Sequence, residues 1–121
     1  MKILLVDDDA FLRDMYATKF REEGHEIRVA ETGTEALDIM RGDTFDVVLM
    51  DVIMPGMTGV ELLEQISKEK FTYTPTCIIL SNQGEQHDID AALAAGAKGY
   101  IIKAEMIPSE VVAKVKSLVS E

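Results

Sequence analysis

The chain has 121 residues, 47% hydrophobic and 28% charged, which is enough for one domain with a single buried core and too apolar for a disordered chain. A formal net charge of −10 argues against direct nucleic-acid binding, because phosphate backbones need clustered Lys and Arg. The single cysteine, Cys77, excludes a disulfide within the chain and, inside the apolar run Cys77-Ile78-Ile79-Leu80, reads as a small core residue.

Ile3-Leu4-Leu5-Val6 is a short unbroken apolar run, as expected of a strand buried on both faces, and it stops at Asp7-Asp8-Asp9. Asp7 cuts the run before a signal-peptide core or membrane span could develop, so a cytoplasmic protein without membrane insertion is expected. Asp9 is placed to cap a helix in which Phe11, Leu12, Met15, Tyr16 and Phe20 recur at helical spacing up to Gly24. Glu26 to Ala30 alternates around Ile27 and Val29, which predicts a strand with one wetter face near the sheet edge. A second helix carries Ala36, Leu37 and Met40 on one stripe and stops near Gly42.

The third strand, Val47 to Met50, is again apolar throughout and delivers Asp51 at its end; Pro55, Gly56 and Gly59 mark the loop beyond. Thr58-Gly59-Val60-Glu61 matches a capping box before a third helix through Leu62, Leu63 and Ile66, ending around Lys70. Phe71 to Pro75 reads as a loop and Thr76 to Leu80 as a fourth strand ending at Ser81. A helix over 85–95 precedes Gly96, Lys98 to Ile102 forms a fifth strand ending at Lys103, and Ser109 caps a last helix through Val111, Val112, Val115, Leu118 and Val119. There is no linker, repeat or low-complexity tract, so residues 1–121 read as one domain.

Strands alternating with helices imply an α/β fold, a doubly wound parallel sheet in which ligands bind beyond the carboxyl ends of the strands where the winding reverses. With strand order 2-1-3-4-5 the reversal falls between the two strands that end in Asp7, Asp8 and Asp51. Alone, Asp51 is as readily a turn residue; a second strand ending in acids singles it out. Three crowded carboxylates repel unless one holds a proton or a hard divalent cation joins them. Magnesium suits such oxygen donors, whereas zinc would want His25 or His87, which fall far from these strand ends. Mg²⁺ in such a site completes its shell with a phosphate oxygen. Lys103 offers a compact cation to a second oxygen and the Ser81 hydroxyl can donate to a third. Asp51, on the central strand, is then the expected nucleophile, forming an aspartyl phosphate.

These residues make the whole chain resemble the receiver domain of bacterial two-component response regulators, a flavodoxin-like (βα)5 fold. The matching positions are Asp7-Asp8, the run Asp51 to Gly59 in Asp-x-x-Met-Pro-x-Met-x-Gly, Ser81, Gly96-Ala97, Tyr100 and Lys103. The resemblance implies that Asp51 takes a phosphoryl group from a sensor histidine kinase or histidine phosphotransfer protein. It also implies that Asp8, Asp51 and the backbone carbonyl of Ile53 bind Mg²⁺ directly, with Asp7 acting through water. Ser81 and Tyr100 would be switch residues, and a downstream protein would dock on the face of helix four, strand five and helix five. Such a domain is a signalling phosphoacceptor that assists its own phosphorylation and dephosphorylation rather than an enzyme acting on other molecules. No output domain follows within this chain, so a stand-alone receiver or a piece of a longer regulator is expected.

Four positions depart from the pattern. Ala104 follows Lys103 where receivers usually have Pro, often after a cis peptide; a trans bond is expected here. Asn82 stands where the family prefers Ala, a larger side chain that could narrow phosphoryl access. Ile53 and Gln83 occupy positions that tune dephosphorylation, and an apolar Ile53 cannot position water, which predicts a long-lived phosphoryl state. These departures keep one alternative open, a degenerate receiver that binds partners without phosphorylation. A dehalogenase-type phosphohydrolase would need a second Asp where Ile53 stands, and a flavodoxin-like electron carrier would not place three acids after its first strand. Alone, Tyr100 would be a packing residue, His25 and His87 solvated ones, and Met54 and Met57 gap-fillers or partner contacts.

Overall fold

The computed structural model describes residues 1–82 and 84–120. In chain order the elements are β1 (Lys2–Val6), α1 (Ala10–Glu22), β2 (Glu26–Ala30), α2 (Gly33–Gly42), β3 (Val47–Met50), α3 (Gly59–Lys68), β4 (Thr76–Ser81), α4 (Gln86–Ala94), β5 (Gly99–Ile102) and α5 (Pro108–Ser120), with a 3-10 turn at Lys103–Glu105. All four strand pairings are parallel and the order is β2-β1-β3-β4-β5, the flavodoxin-like arrangement expected.

The unbroken apolar runs follow from helices on both faces. Successive strand residues point to opposite sides of a sheet. Leu4, Val6, Val48, Met50 and Ile79 therefore pack with Leu37, Met40, Leu62, Leu63 and Ala92 on one side. Ile3, Leu5, Val47, Leu49, Ile78, Leu80 and Ile101 pack with Tyr16, Phe20, Val111, Val115 and Leu118 on the other. Each fully buried aliphatic or aromatic side chain contributes about 1.5–3 kcal/mol, which makes this two-layered core the main stabilising term. β2 lies at the edge, which is why its solvent-facing side kept the polar residues Glu26 and Arg28.

Caps hold the loops that frame the strand ends. Asp9 accepts from the Leu12 N–H and so starts α1, and Thr58 and Glu61 form the reciprocal capping box that starts α3. Gly59 is required there: a Cβ would lie 2.3 Å from the Asp51 carbonyl oxygen, inside any permitted contact. Gly96, at φ +113°, turns the chain out of α4, a backbone conformation that a residue with a Cβ adopts only under strain.

Four local expectations are corrected. Phe11, expected on the buried stripe of α1, is 76% exposed; the inward stripe is Arg13, Tyr16, Ala17 and Phe20, about 200° around the helix from Phe11. Ser109 does not cap α5, because the helix begins at Pro108, whose missing N–H and fixed φ suit a first helical position. α3 stops at Lys68 rather than Lys70. His25, expected to be solvated, is half-buried, and burial, reinforced by the nearby amino terminus, pushes its pKa down.

Candidate functional site

The carboxyl ends of β1, β3 and β5 place three acids and a lysine together. Val6 and Met50 are register partners in the β1–β3 ladder, so the residues that follow, Asp7 and Asp51, leave the sheet side by side. The ladder pattern continues past the strands: the Asp7 N–H donates to the Ala30 carbonyl at 3.0 Å and the Asp51 N–H to the Val6 carbonyl at 3.1 Å. Asp7, Asp8 and Asp51 each offer a carboxylate oxygen, all within 4.8 Å of one another. Asp7 is buried, Asp51 half-buried and Asp8 exposed, which makes a graded pocket open on the Asp8 side.

Lys103 closes the pocket from β5. Its ammonium donates to Asp7 Oδ2 at 2.6 Å and to Asp51 Oδ2 at 3.0 Å. Burial would lower the pKa of this lysine, but the hydrogen bond to Asp7 and the charges of Asp51 and Asp7 outweigh it, and the net shift is upward. The 3-10 turn that begins at Lys103 carries the chain away from the sheet, and the Lys103–Ala104 peptide is trans, as expected. At the Asp51 loop, the Ile53 N–H lies 3.4 Å from Asp51 Oδ1, and the Ile53 side chain is exposed.

Ser81 is fully buried at the end of β4, and Tyr100, half-buried on neighbouring β5, shares a hydrogen bond with it. The Tyr100 pKa is raised, first by burial and then by the charge of Asp88, with the Ser81 hydrogen bond acting in the opposite direction. Asn82 is exposed. Gln83, the second position expected to tune dephosphorylation, lies outside the described residues. Met54 is buried as a gap-filler and Met57 packs its sulfur against Gly33 at the start of α2.

Arg13 was missed by the sequence reading. It lies on the buried stripe of α1, and its Nη1 donates to the Asp7 carbonyl oxygen at 3.0 Å. The signal was present, since Arg13 stands three and four residues before Tyr16 and Ala17, where an apolar side chain would be expected.

As a set, these groups can hold a hard cation through oxygen atoms, neutralise an anion beside it with Lys103, and offer one carboxylate on the central strand as a nucleophile. Residues 3–116 match the response regulator receiver domain. The chain belongs to that family. It is 37% identical over 97% of its length to the transcriptional regulatory protein ResD of Bacillus subtilis, and 33% identical over 96% to the phosphate regulon transcriptional regulatory protein PhoB of Pseudomonas aeruginosa. It spans about half of each of these relatives, 47% and 50%. Among solved structures it resembles the chemotaxis response regulator CheY4 of Vibrio cholerae, with a TM-score of 0.88, 27% identity and 97% of each chain covered. A CheY-like receiver domain protein of Methanospirillum hungatei matches with a TM-score of 0.88 and 30% identity, over 98% of this chain and 93% of that one. The chain is thus a receiver domain of two-component response regulators. No helix among the described residues is long and apolar enough to cross a membrane.

Proposed function

We propose that Asp51 is the phosphoacceptor, that the donor is the phosphohistidine of a sensor histidine kinase or histidine phosphotransfer protein, and that the transfer takes place in the cytoplasm with Mg²⁺ in the acidic pocket. The observation that carries this reading is the Lys103 ammonium spanning Asp7 and Asp51 with the Asp8 carboxylate within 4.8 Å, all at the carboxyl edge of the sheet.

The donor set fits the metal. Asp8 and Asp51 would bind Mg²⁺ directly, the backbone carbonyl of Ile53 would complete the protein ligands, and Asp7, whose oxygens already accept from the Asp9 N–H and from Lys103, would act through water. The bound ion supplies positive charge to the phosphoryl oxygens. An Asp51 oxygen attacks phosphorus, the phosphorus–nitrogen bond of the donor breaks, and its electron pair leaves with the imidazole. Lys103 follows the charge from the Asp51 carboxylate to a phosphoryl oxygen, and Ser81 donates to another. In doing so Ser81 gives up its hydrogen bond with Tyr100, which links the acceptor to the face of α4, β5 and α5 where a downstream protein docks. The domain assists its own phosphorylation and dephosphorylation and does no chemistry on other substrates.

Incubation with Mg²⁺ and acetyl phosphate, followed by intact mass measurement, tests this. A labile phosphoryl adduct on the wild type that is lost in Asp51→Asn is expected. No adduct on the folded wild type would favour a degenerate receiver that binds partners without phosphorylation.

A further inference from the structure

Asp7 has a partner on every polar atom, and the only side-chain partner from outside the acidic pocket among the described residues is Arg13. Its N–H donates to Ala30, its Oδ1 accepts from the Asp9 N–H at 3.0 Å, its Oδ2 accepts from Lys103, and its carbonyl oxygen accepts from the Arg13 guanidinium. The orientation of the Asp7 carbonyl is set by ψ of Asp7 and φ of Asp8, the two dihedrals that decide in which direction Asp8 leaves the strand. Asp8 is the exposed member of the acid cluster, and its direction is set through the backbone, which the Asp9 N–H on Asp7 Oδ1 holds from one side and the Arg13 guanidinium on the Asp7 carbonyl from the other. The remaining Arg13 contacts are weak. Nη2 lies 3.7 Å from the exposed Glu31, and the buried Nε has no protein partner among the described residues. A Leu or Met on this stripe beside Tyr16 and Ala17 would pack without leaving a buried donor unpaired, so packing alone does not account for an arginine here.

We infer that Arg13 is a positioning residue for cation binding: by clamping the Asp7 carbonyl it fixes the Asp7–Asp8 peptide and so presents the Asp8 carboxylate to the ion. The inference rests on the reading of the acidic pocket as the Mg²⁺ site. Outer partners of metal ligands change affinity by roughly 10–100-fold when removed, and a clamp on the backbone rather than on the ligand itself belongs at the low end. Lysine at this position keeps the charge but presents a single ammonium on a flexible stem in place of the planar fork.

The test is calorimetric titration of Mg²⁺ into wild type, Arg13→Gln and Arg13→Lys, without any phosphodonor, alongside thermal unfolding in EDTA. The expected result is a Kd raised about 10-fold in Arg13→Gln and by less in Arg13→Lys, while each variant still unfolds cooperatively in EDTA. A loss of general stability alone would lower the unfolding midpoint in EDTA without moving the Kd of the folded protein. Folded variants whose Kd stays within about twofold of wild type overturn the inference and leave the Mg²⁺ reading intact. Should Arg13→Gln not fold, Arg13→Lys decides by the same criterion. A wild type that binds no Mg²⁺ in this titration overturns the reading of the pocket and the inference with it.

Discussion

Replacing Lys103 with methionine removes the only side-chain cation that the described structure places within hydrogen-bonding distance of the Asp7 and Asp51 carboxylates, at nearly constant side-chain volume. Asp7 is 1% exposed and keeps only the Asp9 N–H on its carboxylate; the Asp51 side chain, 15% exposed, reaches water more easily. Removing one partner from a buried pair destabilises by about 3–5 kcal/mol, most of it here from the stranded Asp7 charge. Unfolding entropies of about 2.1 cal/mol/K per residue give roughly 0.25 kcal/mol/K for a chain of this length, so the midpoint should fall by about 12–20 °C. The assay is differential scanning calorimetry at pH 7.5 in EDTA and again with saturating Mg²⁺. Because a bound cation neutralises the stranded acids and no longer competes with an ammonium, Mg²⁺ should raise the midpoint of Lys103→Met by more than that of wild type. Adding Asp7→Asn should recover most of the loss in EDTA. A loss below about 1 kcal/mol in EDTA, or a larger Mg²⁺ effect on wild type than on the variant, would refute the reasoning from buried charge.

Ile53→Asn puts a hydrogen-bonding group on the exposed rim beside Asp51, so the phosphoryl group should decay several-fold faster than in wild type, measured as the loss of the adduct after the phosphodonor is removed. An unchanged decay removes the idea that the apolar side chain prolongs the phosphorylated state. Burial pushes the Cys77 thiol up to about 12 from an ordinary value of 9.0. The folded state therefore holds this proton more tightly than the unfolded chain. The stability it contributes is complete below about pH 9 and is lost as pH rises toward 12, a fall that denaturant titrations of wild type should show and Cys77→Ala should reduce. At pH 8 iodoacetamide should alkylate Cys77 only in the unfolded protein.

The parts of the fold that could be read from the residues were those where one physical demand dominates. Val47 to Met50 and Ile3 to Val6 had to be apolar on both faces because helices cover both, and an acid directly after such a run can only mark a strand end. Asp7 and Asp51 were found by that rule, and Ser81 and Lys103 by standing at the ends of the fourth and fifth strands of the same sheet. Arg13 was not, because helical periodicity is read from apolar residues and a charged one on the buried face looks like solvent-facing surface. Phe11 failed for the same reason in reverse: an aromatic side chain weighs heavily in a stripe, yet its angle around α1 points it into solvent. Ser109 reads as a cap on residue preference alone, whereas the helix starts at Pro108, a residue type that also marks a helix start. Pairing across the sheet, such as Ser81 with Tyr100, depends on register between strands and is invisible in local pattern.

The account depends on phosphoryl transfer to one carboxylate at the end of β3. Acyl phosphates are reduced by borohydride to homoserine, so the most direct measurement is peptide mass mapping after Mg²⁺, acetyl phosphate and borohydride treatment. Homoserine at position 51, absent when Mg²⁺ is chelated, is the predicted result. Homoserine at position 7 or 8 instead, or at no position in a folded protein, would contradict it.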